Sequence, residues 1–133
     1  MDRSMPLIIS SAAHADILQA AQQCFPLEAC GLLLGRDDRV DCAVAVANVH
    51  PDPARHFEID PAALVAAHRA ARSGGPDVIG YFHSHPNGRA GLSEIDRRNA
   101  ARDGRVWLIV ADQGITAWKD GATGFEALSY AVR

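Results

Sequence analysis

Apolar positions near the start of the chain recur at helical spacing. In SAAHADILQAAQQCF, Ile17, Leu18, Ala21 and Cys24 fall on one side of a helix, and Ser10 and Ser11 are placed to cap it. Pro26 disfavours helical backbone at the residue before it, so the helix is expected to end there. CGLLLGR is an apolar run without polar alternation, the pattern of a buried strand. Asp37-Asp38 suits a turn, and RVDCAVAVAN alternates strictly, as an antiparallel partner of that strand would. A polar, Pro-punctuated loop covers 49–58. Asp60 as N-cap and Pro61 at the first helical position open a second helix, which Ser73-Gly74-Gly75 closes. DVIGYFHSH predicts a strand and PNGRAGL a loop, after which Ser93 caps a third helix reaching about Arg102. RVWLIVAD, ITAWKD and GFEALSYAV read as strands. Helices interleaved with strands, several lacking polar alternation, predict an α/β fold with a mixed β-sheet covered on both faces.

The chain's 133 residues are expected to form a single domain, 1–133, because no repeat, linker or composition break divides them. A hydrophobic share of 48% beside 22% charge is that of a globular protein and excludes intrinsic disorder. The net charge of −3, without long runs of one sign, predicts neither nucleic acid nor an anionic membrane as partner. The longest apolar runs are too short to cross a bilayer, and MDRSMPLIIS lacks the apolar segment of a signal peptide. Cys24, Cys30 and Cys42 are odd in number and include no CxxC pair. Free thiols in a reducing cytoplasm are therefore expected, and a zinc site built from them is not.

The chemistry concentrates in YFHSHPNGRAGLSEID, residues 81–96. Alternate residues of a strand share a face, so His83 and His85 point together and Ser84 points away. Imidazoles about 6–7 Å apart at Cα can share one metal ion. The PNGRAGL loop can bring the next helix back over them, with Asp96 one turn in as a third, anionic ligand. Three protein ligands leave a fourth tetrahedral position open, as catalytic rather than structural zinc requires. Singly, a histidine pair and a Ser-x-x-Asp capping box are ordinary structural features. Together, at this spacing, they arise by chance in about one such chain in ten thousand.

His83, Ser84, His85, seven residues, Ser93, two residues and Asp96 closely resemble, without a gap, the signature of the JAMM (MPN-plus) zinc metalloproteases. That signature also carries an upstream glutamate beside a glycine and a short apolar strand, and PLEACGLLLG supplies Glu28 in that setting. The resemblance runs on through NVHPDPARHFEIDPAAL to the final strands. It implies the MPN/JAMM fold, a cytidine-deaminase-like mixed sheet flanked by helices, with one Zn²⁺ per chain held by His83, His85 and Asp96. Of the four glutamates, Glu94 stands two residues before Asp96 on a helix and cannot share its face. The residue pattern leaves Glu58 and Glu126 open, and the resemblance selects Glu28 as general base. Its place before a buried strand predicts partial desolvation and a raised pKa. The resemblance also gives the Ser93 hydroxyl a role at the reacting oxygen, compatible with its N-cap role because a hydroxyl both donates and accepts. Asn48 matches a polar residue that the family places near the substrate carbonyl. Ser84 is expected to be structural, His50 and His56 to be solvated loop residues, and His14 and His68 to be bland helix positions. No base accompanies Cys30, which argues against a cysteine nucleophile.

The function so implied is a zinc peptidase or isopeptidase cleaving after the C-terminal Gly-Gly of a ubiquitin-like or sulfur-carrier protein. Gly-Gly fits a narrow cleft, and an extended tail can pair with an exposed strand edge. The short chain is similar to the stand-alone prokaryotic members of the family. Two alternatives are a deconjugating isopeptidase for a ubiquitin-like modifier and a non-catalytic MPN scaffold. Scaffolds of that kind usually lack a ligand, and none is missing here. RadC-type domains fit less well, given Ser84 between the histidines and no DNA-binding helix pair upstream. The HxE and PCxxC motifs of zinc deaminases are absent.

Overall fold

The computed structural model describes residues 6–133, so the first half of MDRSMPLIIS lies outside the described residues. A three-residue strand, β1 (Leu7–Ile9), leads into α1 (Ser11–Cys24). Ser10 is the N-cap of α1, its hydroxyl accepting from the Ala13 N–H at 3.0 Å. The buried stripe of α1 is Ala13, Ile17 and Ala20, while Leu18 sits 39% exposed at its margin. The predicted face is thus rotated towards the small residues, which let the helix lie close on the sheet.

β2 (Cys30–Arg36) and β3 (Arg39–Val46) form the expected antiparallel pair around the Asp37-Asp38 turn. Helix α2 (Pro61–Arg72) has Asp60 as N-cap and Ser73 as C-cap, as the sequence predicts. β4 (Asp77–Ser84) runs antiparallel to β2 and parallel to β5 (Val106–Ala111), which pairs in turn with β6 (Gly114–Gly121). The result is a mixed eight-stranded sheet. Its core joins the α1 stripe to Leu33, Val40, Phe82, Leu108 and Val110. Gly31 is required under this core, because a Cβ there would run into the Phe82 ring. Removing a side chain as buried as Leu108 should cost about 2–5 kcal/mol. No helix among the described residues is long and apolar enough to cross a membrane.

Two elements differ from expectation. GFEALSYAV is not one strand but two, β7 (Gly124–Leu128) beside β6 and β8 (Tyr130–Val132) beside β1. These are the opposite edges of the sheet, joined through Ser129 alone, so the sheet curls until its edges meet. The third helix, α3 (Glu94–Arg98), stops four residues short of Arg102. The fully buried Asp120 explains this, since its Oδ2 accepts from the N–H groups of Ala101 and Arg102 at 2.8 and 3.1 Å. Arg102 takes a left-handed backbone conformation (φ 55°), which ends helical continuation.

Candidate metal centre

β4 delivers His83, and His85 follows one residue beyond its end. Ser84 stitches that end to the start of β2. Its N–H donates to the Ala29 carbonyl at 3.0 Å, and its hydroxyl accepts from the Ala29 N–H at 2.8 Å. The His85 N–H donates to the Val110 carbonyl at 2.9 Å, fixing the other side. The alternation predicted for the pair then brings the two Nε2 atoms to 3.2 Å.

The following loop sets the chemistry of the second ring. Gly88 donates to the His85 carbonyl across a Pro86-Asn87 turn, and Asn87 Oδ1 accepts from the Arg89 N–H. Gly88 has φ 78°, and a Cβ there would run into the Asp112 carboxylate, so only glycine fits. The turn places the Arg89 carbonyl 2.9 Å from His85 Nδ1. A carbonyl only accepts, so Nδ1 carries the proton and the neutral ring leaves Nε2 bare for a metal.

Ser93 and Asp96 form a reciprocal capping box: Asp96 N–H donates to Ser93 Oγ at 3.0 Å, and Ser93 N–H to Asp96 Oδ2 at 2.9 Å. That box turns the carboxylate towards the histidines. Asp96 Oδ1 lies 3.0 Å from His83 Nε2, and Oδ2 lies 3.1 Å from His85 Nε2. The neutral His85 therefore faces a carboxylate oxygen acceptor to acceptor, a contact that a cation, or a second proton, relieves. Bonds of 2.0–2.1 Å to a tetrahedral ion set neighbouring ligand atoms about 3.3 Å apart; the two Nε2 atoms lie 3.2 Å apart, and each has a different Asp96 oxygen at 3.0–3.1 Å. His83 and Asp96 are buried and His85 is 9% exposed, so little water competes for them. Donor chemistry and spacing together fit a divalent cation.

Burial lowers the His83 pKa, partly offset by Asp96. Burial also opposes charge on His85, but Asp96 and the Arg89 carbonyl outweigh it and raise that pKa. Asp96 is desolvated too, yet hydrogen bonds from both histidines, which His85 donates only once it takes the second proton at Nε2, hold its carboxyl well below the usual carboxylate range.

Glu28 is 7% exposed and enters the same cavity, about 690 Å³, that His85 and Ser93 line. Its N–H donates to the Pro53 carbonyl at 2.8 Å and its carbonyl accepts from Asn48 Nδ2 at 3.1 Å. Burial pushes its pKa up to about 7; the charge of His85 opposes this and that of Asp96 assists. Glu94 reaches the cavity rim but is exposed and paired with Arg98 at 2.6 Å. Glu126 is exposed on β7 opposite Lys119, and Glu58 lines a different cavity.

The Asn48 amide has nothing left to offer a substrate carbonyl. Its Nδ2 donates to the Glu28 and His56 carbonyls, and its Oδ1 accepts from the His50 and Glu58 N–H groups. Asn48 organises the loop instead. His50 and His56 are half-buried and stack on each other at 4.5 Å, so they are less solvated than the sequence suggests. Cys30 is buried and its thiol is pushed up to about 12 by desolvation, in keeping with no nucleophilic role. Sequence reasoning did not find Phe57, whose ring stacks on His83 at 4.3 Å, or the Arg89 carbonyl. The first sits in a polar loop and the second is backbone, so neither leaves a signal in residue type.

The model of the prokaryotic homologs of the JAB domain matches residues 10–121, an interval containing all five candidate residues. Desampylase of Haloferax volcanii is 38% identical over 110 residues, 80% of this chain and 79% of that protein. A probable TtuB-protein conjugate cleaving protease of Thermus thermophilus is 37% identical over 93 residues, 70% of this chain and 62% of that protein. The chain thus spans less than two thirds of the second relative. A protein of Desulfitobacterium hafniense, solved in solution, has the same fold at TM-score 0.82 and 28% identity, covering 95% of this chain and 92% of the other. A JAB1/MPN domain protein of Archaeoglobus fulgidus superposes at TM-score 0.63 and 25% identity, covering 93% and 96%. The mixed sheet flanked by helices is therefore that of JAB1/MPN domains, and the chain belongs to the family of prokaryotic homologs of the JAB domain.

Proposed function

We propose that the chain is a zinc-dependent hydrolase, one Zn²⁺ per chain, that cleaves the amide bond after the C-terminal Gly-Gly of a small ubiquitin-like or sulfur-carrier protein. The observation that carries this reading is the convergence of His83, His85 and Asp96 at 3.0–3.2 Å, with Glu28 and Ser93 lining the cavity beside them. Residues 1–133 act as one catalytic domain, working in the reducing cytoplasm with Cys24, Cys30 and Cys42 free.

Bound zinc would supply a Lewis acid that polarises a carbonyl and lowers the pKa of water towards neutrality. His83, His85 and Asp96 would hold it. Glu28, with a pKa raised to about 7, takes the attacking water's proton and returns it to the amine as the C–N bond breaks. The Ser93 hydroxyl accepts from Asp96 N–H, so its own proton can donate to the carbonyl oxygen as charge develops there. Ser93→Ala should slow kcat by roughly 10²–10³-fold with zinc retained. Steady-state kinetics beside metal analysis checks this, and a loss confined to Tm would leave Ser93 only its capping role.

The relatives' names favour conjugates as substrates, since one is described as cleaving TtuB-protein conjugates. The tail, rather than nucleic acid or membrane, is the element recognised. Mass spectrometry should show a folded Gly-Gly protein released from a precursor or a lysine conjugate, and no release after chelation. Release should be poorer from an unstructured peptide bearing the same tail. Intact precursor and conjugate alongside degradation of unrelated unfolded proteins would overturn the reading.

A further inference from the structure

His83 and His85 are positioned by different means. His85 has a carbonyl on its outer nitrogen, the usual way a ligand imidazole is oriented. What faces the His83 ring is aromatic. Phe57 stacks on it at 4.3 Å and 18°, and Trp107 meets it edge-on at 5.8 Å and 84°. Phe57 also packs edge-on against Trp107 at 6.3 Å, closing a cage. Behind the cage lies a separate cavity of about 570 Å³, lined by Phe57 and Trp107 but not by His83. The two rings therefore stand between His83, which is 1% exposed, and the water of that cavity.

The placement of Phe57 is itself held. The Asn48 amide accepts from the Glu58 N–H and donates to the His56 carbonyl, gripping the chain on either side of Phe57. The same amide donates to the Glu28 carbonyl, and Pro53 of the same loop accepts from the Glu28 N–H. One loop thus fixes the backbone of the acid and the ring of a ligand.

We infer that Phe57 is a positioning residue for the metal: by stacking on His83 it fixes the imidazole plane and seals it from water. The inference rests on the reading of His83, His85 and Asp96 as metal ligands, not on the identity of the substrate. The negative face of a phenyl ring suits an imidazole that donates to a cation and so becomes electron-poor. Losing a group that orients a metal ligand typically costs about 10–100-fold in affinity.

The test is zinc affinity by chelator competition, with cobalt absorption as a second readout of ligand geometry, on the full chain. Phe57→Leu keeps apolar volume without a π face, and Phe57→Tyr restores the face. Phe57→Leu should bind zinc roughly 10–100-fold more weakly, with an altered cobalt spectrum, and Phe57→Tyr should recover most of the affinity. Phe57→Leu within twofold of wild type, even with a lowered Tm, overturns the inference and leaves Phe57 as packing alone. Wild type and His85→Ala binding zinc equally would instead remove the metal reading on which it rests.

Discussion

His85→Ala is expected to abolish hydrolysis and reduce bound zinc from about one per chain to near zero. The ring supplies one of three convergent donors, and the remaining pair, His83 Nε2 and Asp96 Oδ1 at 3.0 Å, cannot enclose an ion. Asp96→Asn should act in the same direction by removing the only anionic donor, while its amide oxygen can still accept from the Ser93 N–H. Metal analysis with a hydrolysis assay reads both outcomes. Removing the ion from wild type has a thermal consequence as well. Free zinc at a hundred times Kd stabilises the folded chain by about 2.7 kcal/mol, on the order of 10 °C in Tm for a chain of this size. The chelator-induced drop should vanish in His85→Ala. Equal zinc in wild type and both variants, with no chelator effect on Tm, would remove this centre from the mechanism.

The parts of this molecule written in its sequence are those governed by local rules. Asp60-Pro61, the Asp37-Asp38 turn and the apolar runs of β2 and β5 predict their elements because capping, turn preference and burial act within a few residues. The two histidines and Asp96 are legible for the same reason: strand alternation and one helical turn determine where they point. Long-range pairing is where prediction fails. Leu7–Ile9 is a strand only because β3 and β8 flank it, and GFEALSYAV breaks at Ser129 only because the curled sheet has two edges to fill. Helix α3 ends early because of Asp120, eighteen or more residues further along the chain. Glu28 stands between these cases. Its residue type makes it a candidate base, but its selection over Glu58 and Glu126 needed the resemblance, because only the folded chain brings it beside His85 and Ser93.

Glu28→Gln should retain zinc and fold yet lose about 10²–10⁴-fold in kcat, because an amide cannot take the proton from water. Wild-type kcat/KM should fall on the acid side at or below pH 7, since the carboxylate is the working form and the metal's charge favours it. The same burial makes a separate prediction for the metal-free protein. The folded-state pKa of about 7 lies above the ordinary 4.5, so the folded chain binds an extra proton between those values. The stability this contributes is complete below about pH 4.5 and is lost as pH rises through 7. Above that pH a charged carboxylate is held where only a neutral one is comfortable. Glutamine never ionises, so metal-free Glu28→Gln should match wild type in Tm near pH 4.5 and exceed it at pH 8. Catalysis and stability then move in opposite directions at one residue, a pattern that a surface acid would not produce. Nearly full kcat in Glu28→Gln together with a pH-independent Tm difference would overturn both the role and the buried environment assigned to it. Loss of activity in Glu58→Gln or Glu126→Gln would then identify the base.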